Sequence, residues 1–393
     1  MSRPAAEPAF AELLRRLRVE RGLSLRALGA ATHRAKSHLH DLETGRKTPT
    51  AEVAEHLDRA LGAGGRLAEL GPAPTPSIVD PTDDEEAAVE LLQRVEASDV
   101  SAETLDRIET AVDRLAVAYP TTAPAVLLVA ARRHLGYVAA LLDGRATLRQ
   151  RERLIVAGSW LSLLAATLQI DLSRSGPARA NLVTAASLAA EAGHDELSGW
   201  CLETRAWAAL TAGNHTRALE LACQAQSVAP DGSSAHIQAT AQEGRAHARL
   251  RDRRATREVL DRLEALTSSL PVPDQPEHHY RYDPDKALAY TATTLAWAGD
   301  PGAEAYARAV VEGLTADRRA RRAEMARLDL GLALINAGRP DEASAMAQQS
   351  IASGWLVPSN WWRATEVLSG VEAAGIREAV DLREVYEAHR PPR

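Results

Sequence analysis

Among the side chains within residues 26–47 that can hydrogen-bond or carry positive charge, eight are candidates for contacting a ligand: Arg26, Arg34, Lys36, Ser37, His40, Thr44, Arg46 and Lys47. At the spacing of a helix, Lys36, Ser37, His40 and Thr44 share one face, with the apolar Ala35, Leu39 and Leu42 on the other. A helix presenting such a polar face fits the major groove of double-stranded DNA. There Lys36 can donate to guanine O6 or N7, while Ser37 and His40 can bond base edges or phosphate. Arg26, Arg46 and Lys47, just outside that helix, are placed to hold phosphates, and Arg34 is expected to turn outward and add another phosphate contact. His38 and His56 read as ordinary surface or packing residues.

No other cluster competes chemically. The stretch Glu277-His278-His279-Tyr280-Arg281-Tyr282-Asp283 contains two histidines, but consecutive residues on a loop seldom aim at one centre. No second ligand cluster accompanies them, so no metal is expected. There is no glycine-rich phosphate loop, no HExxH, no GxSxG and no cysteine–histidine pair in recognisable context, which argues against an enzyme and against a cofactor. Cys201 and Cys223 have neither disulfide-framework nor metal-ligand spacing, as befits a chain from a reducing compartment.

The polar face belongs to a longer pattern, LRVERGLSLRALGAATHRAKSHLHDLETGRKTP, from Leu17 to Pro49. It resembles the lambda-repressor/Cro-type, or XRE-like, helix-turn-helix family. Arg18 and Arg21-Gly22-Leu23-Ser24 match the family's entry, Leu28 its scaffold-helix apolar position, and Leu39 and Leu42 its recognition-helix core. Glu43-Thr44-Gly45 matches its exit and Pro49 the following proline. The resemblance covers about a sixth of the chain and implies a dimer on two half-sites. Three positions depart from it: His33 stands where the turn has Gly, Arg34 where an apolar residue is common, and Arg26 where the family offers Gln.

The elements that must position these residues form an all-α arrangement: a small five-helix DNA-binding bundle followed by an α-solenoid of helix-pair repeats. Phe10, Leu13, Leu14 and Leu17 stripe a first helix that Gly22 ends. Ser24 caps a second carrying Leu25, Leu28 and Ala31, and a third buries Ala35, Leu39 and Leu42 and stops at Gly45. Thr50 begins a fourth with Val53, Leu57, Ala60 and Leu61, and Arg66 to Leu70 make a short fifth. The domain boundary falls in a Pro/Asp-rich linker: 1–71 is the helix-turn-helix domain, 72–84 the linker and 85–393 the repeat domain.

Composition agrees with this layout. At 393 residues the chain is too long for one compact helical domain, and a single Phe with 4% aromatic residues predicts almost no strand. The net charge of −7 is unevenly spread: residues 1–71 hold 12 Lys+Arg against 9 Asp+Glu, so the positive potential sits where DNA would be contacted. The first 25 residues lack an apolar signal core and no uninterrupted 18-residue apolar run follows, so no membrane partner and a cytoplasmic location are expected.

Beyond the linker a turn phrase, Gly-x-x-x-x-Ala or a near copy, recurs and ends at Ala180, Ala218, Ala255, Ala305 and Ala343. The spacings of 38, 37, 50 and 38 resemble a tetratricopeptide-type array, with an insertion over Pro271–Asp285 in the long interval. Such a stack offers a concave surface for a peptide, small-molecule or protein effector, or for a second copy in a homodimer. The insertion is expected to fold as a lid or plug over that groove, with Tyr280 and Tyr282 as ligand or partner candidates. Adjacent Trp361 and Trp362 cannot both face one core, which makes one of them a further candidate. The residues together point to a DNA-binding regulator, with a tetratricopeptide-type interaction scaffold as the alternative.

Overall fold

A computed structural model describes residues 8–72, 98–271, 275, 277–316 and 319–391. All but the first residue of the expected 72–84 linker lies outside them. The chain divides into two compact units, Met1–Leu91 and Leu92–Arg393, and among the described residues there is no strand.

Among the described residues of the first unit the helices are α1 (Pro8–Glu20), α2 (Leu25–Thr32), α3 (Lys36–Glu43), α4 (Ala51–Ala60) and α5 (Arg66–Glu69). Phe10, Leu14, Leu17, Leu28, Leu39, Leu42, Leu57, Leu61 and Leu67 meet in one core. Three alanines assigned to the apolar stripes do not join it. Ala31, Ala35 and Ala60 are exposed, and Gly29, Thr32 and Ala54 are buried instead. A lone methyl adds little apolar area, so the stripes are set by leucines and by close approach of backbone.

The second unit alternates antiparallel helices: α6 (Ala102–Ala118), α7 (Pro124–Leu142), α8 (Leu148–Asp171), α9 (Ser175–Glu191), α10 (Asp195–Thr211), α11 (His215–Val228), α12 (Ser234–Arg249) and α13 (Arg253–Thr267) come first. After the insertion follow α14 (Pro284–Ala298), α15 (Ala303–Ala316), α16 (Ala320–Asn336), α17 (Pro340–Ala352), α18 (Trp361–Ala373) and α19 (Glu378–His389). Each helix packs on its neighbour, and α10 on α12, α12 on α14 and α14 on α16 also touch, which is how helix pairs stack into a solenoid.

The repeated turn is a left-handed residue followed by the cap of the next helix. Ser173, Gly213, Arg251, Gly299 and Gly338 all have positive φ, and Asn214 and Asp252 accept a backbone N–H with their side chains. Four residues beyond the cap a small side chain is buried, at Ala178, Ala218, Thr256 and Ala343. The sequence phrase is therefore out of register at Ala180, Ala255 and Ala305, none of which is buried. The side chain one turn into a helix is the one aimed back at its partner, and only the cap position locates it.

Among the described residues two helices are long and apolar enough to cross a membrane by length and composition, α7 and α8, each with a window of mean hydropathy 1.5. A count of uninterrupted apolar residues passes over them, because a few charges sit among many Ala, Leu and Val. In α8 that window is 83% buried inside the unit, against 22% in α7.

Candidate nucleic-acid interface and the repeat cavity

Local chemistry builds the turn between α2 and α3. Ser24 caps α2, its Oγ accepting the Ala27 N–H at 3.1 Å. The chain then reverses at His33, in the left-handed region at φ 52°, and the Arg34 N–H donates to the Gly29 carbonyl at 2.9 Å. A Cβ at Gly29 would lie 2.6 Å from the Arg34 carbonyl oxygen, so glycine is required where the two strands of the turn touch. His33, by contrast, is held in a conformation that glycine adopts freely and other residues adopt at a cost. We expect His33→Gly to raise the stability of the first unit by about 0.5–1 kcal/mol, read as a higher midpoint of its thermal or urea unfolding.

The turn aims α3 outward. Leu39 and Leu42 are fully buried, and Lys36, Ser37, His40 and Thr44 are exposed on the other side. Arg26, Arg46 and Lys47 are exposed beside them, but Lys47 already pairs with Asp41, Nζ to Oδ2 at 3.3 Å. The Thr44 hydroxyl donates back to the His40 carbonyl at 2.8 Å, leaving its lone pairs for a donor. Arg34 does not swing fully outward as expected: it is half-buried, with its Nε buried and unbonded.

The contact that holds α3 against α1 is absent from the sequence reading. Arg18 and Glu43 form a two-pronged ion pair, Nε to Oε1 at 2.6 Å and Nη2 to Oε2 at 2.9 Å, while Arg18 Nη1 donates to the Leu23 carbonyl at 2.7 Å. The Arg18 side chain is 14% exposed and that of Glu43 5%. The hydrogen bond to Glu43, against the opposing cost of burial, raises the guanidinium above its ordinary value. The signal that could have found it is that two opposite charges occupy the entry and exit of one motif. Asp58 plays a similar part for α5: burial alone would push its carboxyl up, but N–H groups of Gly65, Leu67 and Ala68 win and hold it below the usual range.

In the second unit the inner helices α8, α10, α12, α14 and α16 surround a cavity of about 230 Å³. Its walls are rich in paired charges. Arg321 Nη2 meets Asp171 Oδ2 at 2.5 Å, and the Tyr119 hydroxyl donates to the same oxygen at 2.9 Å. Asp329 accepts from Arg363 (3.1 and 3.2 Å), from Thr293 (2.6 Å) and from Trp297 Nε1 (3.2 Å). Glu203 accepts from Gln242 and Gln238 at 2.6 and 3.1 Å, and burial raises its carboxyl above the usual range.

The part of the insertion from residue 277 onward lies against the first helix pair of this unit and walls one side of the cavity with Glu277 and His279, while 272–274 and 276 lie outside the described residues. The His279 N–H donates to the Ala116 carbonyl at 3.1 Å, and His278 Nε2 lies 3.1 Å from Asp113 Oδ1. Tyr280 is buried between Trp160 and Trp200, at 4.8 and 5.3 Å between ring centroids. Tyr282 is buried against Tyr290 at 6.2 Å. Both tyrosines stand in the wall and do not line the central cavity, whereas Tyr290, Trp200 and Arg245 do. Trp361 packs on Tyr386 and Trp362 on Trp297, so successive positions of α18 serve two different packing layers.

His279 gives this arrangement a pH signature. Burial, reinforced by Lys286 and Arg321, pushes its imidazole well below the ordinary value. The unfolded chain takes up a proton below about pH 6.5 and the folded chain does not, so stability falls on acidification through that window. The slope contributed by one such group is at most about 1.4 kcal/mol per pH unit. Thermal unfolding between pH 7.5 and 5 should show a smaller acid shift for His279→Gln than for the natural chain, a comparison that cancels the opposite contribution of Glu203.

No curated protein matches the chain. Among solved structures, the crystal structure of Bacillus thuringiensis PlcR in complex with the peptide PapR7 and DNA is similar over 66% of this chain and 94% of that one, with 12% identity and a TM-score of 0.28. Residues 9–70 match the family described as a helix-turn-helix domain, and the N-terminal unit therefore carries a helix-turn-helix domain.

Proposed function

We propose that the chain is a cytoplasmic, sequence-specific DNA-binding transcriptional regulator of the lambda-repressor/Cro (XRE-like) type. In this reading residues 1–71 bind DNA through the segment 24–47, 72–84 connect, and the tetratricopeptide-type repeats of 85–393 dimerise the protein and take an effector. The observation that carries it is the sidedness of α3: Leu39 and Leu42 are sealed inside while Lys36, Ser37 and His40 face out from a helix-turn-helix. A groove-reading helix requires that division.

Selection of bound sequences from a random duplex pool, followed by anisotropy titrations on the selected site, tests the reading. Lys36→Ala with His40→Ala is expected to keep the fold and lose about 1–3 kcal/mol of discrimination for each base contact removed. Unchanged preference in the double variant would show that α3 does not read bases. A chain that selects no sequence and binds duplex without salt dependence would instead be an interaction scaffold. Sedimentation of the full chain at micromolar concentration tests the dimer, since a two-fold pair is what two half-sites require.

A further inference from the structure

Arg245 sits on α12 at the wall of the central cavity, 4% exposed. Its neighbours in the cavity have direct counter-ions: Arg321 has Asp171, Arg363 has Asp329 and Arg322 has Glu277. Arg245 has no carboxylate within ion-pair distance among the described residues. Its guanidinium lies over the Tyr290 ring, 4.4 Å from the centroid, and Nη2 donates to Gln242 Oε1. Nε is buried without a partner, and Nη1 neither makes a hydrogen bond nor is closed off from the cavity.

A buried cation lacking a direct counter-ion is costly, and a guanidinium held over an aromatic ring keeps N–H donors with which to receive an anion. Gln242 passes the influence of Glu203 to Arg245, since its Nε2 donates to Glu203 Oε1 at 2.6 Å while its Oε1 accepts from Arg245. With a carboxylate one amide away, a single negative charge is favoured over a dianion. Trp200, Trp207, Tyr290, Val310, Leu314 and Met325 give the lining its aromatic and apolar surface, among charged groups such as Arg321, Arg322 and Arg363 that are paired with carboxylates. A cavity of about 230 Å³ is on the scale of a small molecule.

We infer that this cavity is a binding site for a small monocarboxylic acid with an apolar ring or chain, its carboxylate held by Arg245 and its body between Tyr290 and the apolar wall. The inference deepens the regulator reading by naming the chemistry of an effector. It rests on that reading only for the consequence of binding, because occupancy of the site needs no DNA.

Calorimetric titration of the full chain with phenylacetate, indole-3-acetate and octanoate tests it, with phenylacetamide, indole-3-acetamide and inorganic phosphate as contrasts. At least one acid is expected to bind, its amide at least tenfold more weakly, and phosphate not at all. Arg245→Gln removes the charge while keeping polar atoms near Gln242, and is expected to lower affinity for that acid at least tenfold with an unchanged helical spectrum. If Arg245→Gln does not fold, Arg245→Lys, which keeps the charge without the fork, should still lose several-fold. Equal binding of acid and amide, binding of phosphate, retained affinity in the variants, or no binding by any of the three acids would each overturn the assignment. Failure of the chain to bind DNA would leave these titrations standing and would count against the regulator reading alone.

Discussion

Replacing Arg18 by Ala is expected to unfold the N-terminal unit of the full chain and abolish DNA binding, although Arg18 faces no groove. Its guanidinium and the Glu43 carboxylate are largely shielded, the side chains 14% and 5% exposed, and use both prongs on each other. Removing one partner leaves the other charge buried and unpaired, which costs about 3–5 kcal/mol. A unit of this size has roughly that much stability in total. Two measurements check it: the melting profile of the full chain should lose the transition of the first unit while the repeat transition stays, and duplex binding should vanish. Glu43→Ala should do the same. Arg18→Lys should be intermediate, because an ammonium keeps the charge but cannot match the two oxygens and also reach the Leu23 carbonyl. A chain whose first unit melts normally without Arg18 would show that leucine packing alone holds α3.

Replacing Arg26, Arg46 and Lys47 together by Ala should leave the fold intact and weaken binding to every duplex, the selected site and unrelated DNA alike. All three side chains are exposed, so no core contact is lost. Phosphate contacts position a protein without reading sequence, and each one lost lowers the slope of log affinity against log salt by about 0.9. The slope should therefore drop by roughly 2–3 and low-salt affinity by roughly a hundredfold. Lys47 is expected to contribute least, because DNA must first compete with Asp41 for it. This pattern separates the triple variant from Lys36→Ala with His40→Ala, where preference falls and the salt slope changes little. An unchanged slope would remove these three residues from the interface.

Much of the first unit is legible in the amino-acid sequence. Ser24 and Thr50 announce helix starts, leucines at helical spacing mark the buried stripe, and Lys36, Ser37, His40 and Thr44, on the face away from Leu39 and Leu42, are left outside by default. These signals are local: a cap, a turn and a helix face each depend on residues within one or two turns of chain. The alanines at 31, 35 and 60 fall on the exposed side because a methyl group decides neither side of a helix, and the repeat register slips for the same reason at Ala180, Ala255 and Ala305. Alternation of helix pairs is readable from the recurring turn, since a left-handed residue beside a cap is also a local event.

Tertiary structure alone decided the partners. Arg18 and Glu43 lie 25 residues apart, and although they mark the entry and exit of one motif, their pairing shows only once the helices are packed. Asp171 meets Arg321 across 150 residues, and His278 reaches Asp113 across 165. The tyrosines of the insertion are plain in the sequence, but only the fold shows that Tyr280 and Tyr282 fill the wall while Tyr290 and Arg245 open on the cavity. A charged residue on an inner helix looks the same in sequence whether or not a counter-ion faces it. That depends on how successive helix pairs rotate about one another, a quantity summed over the whole stack and written at no single position.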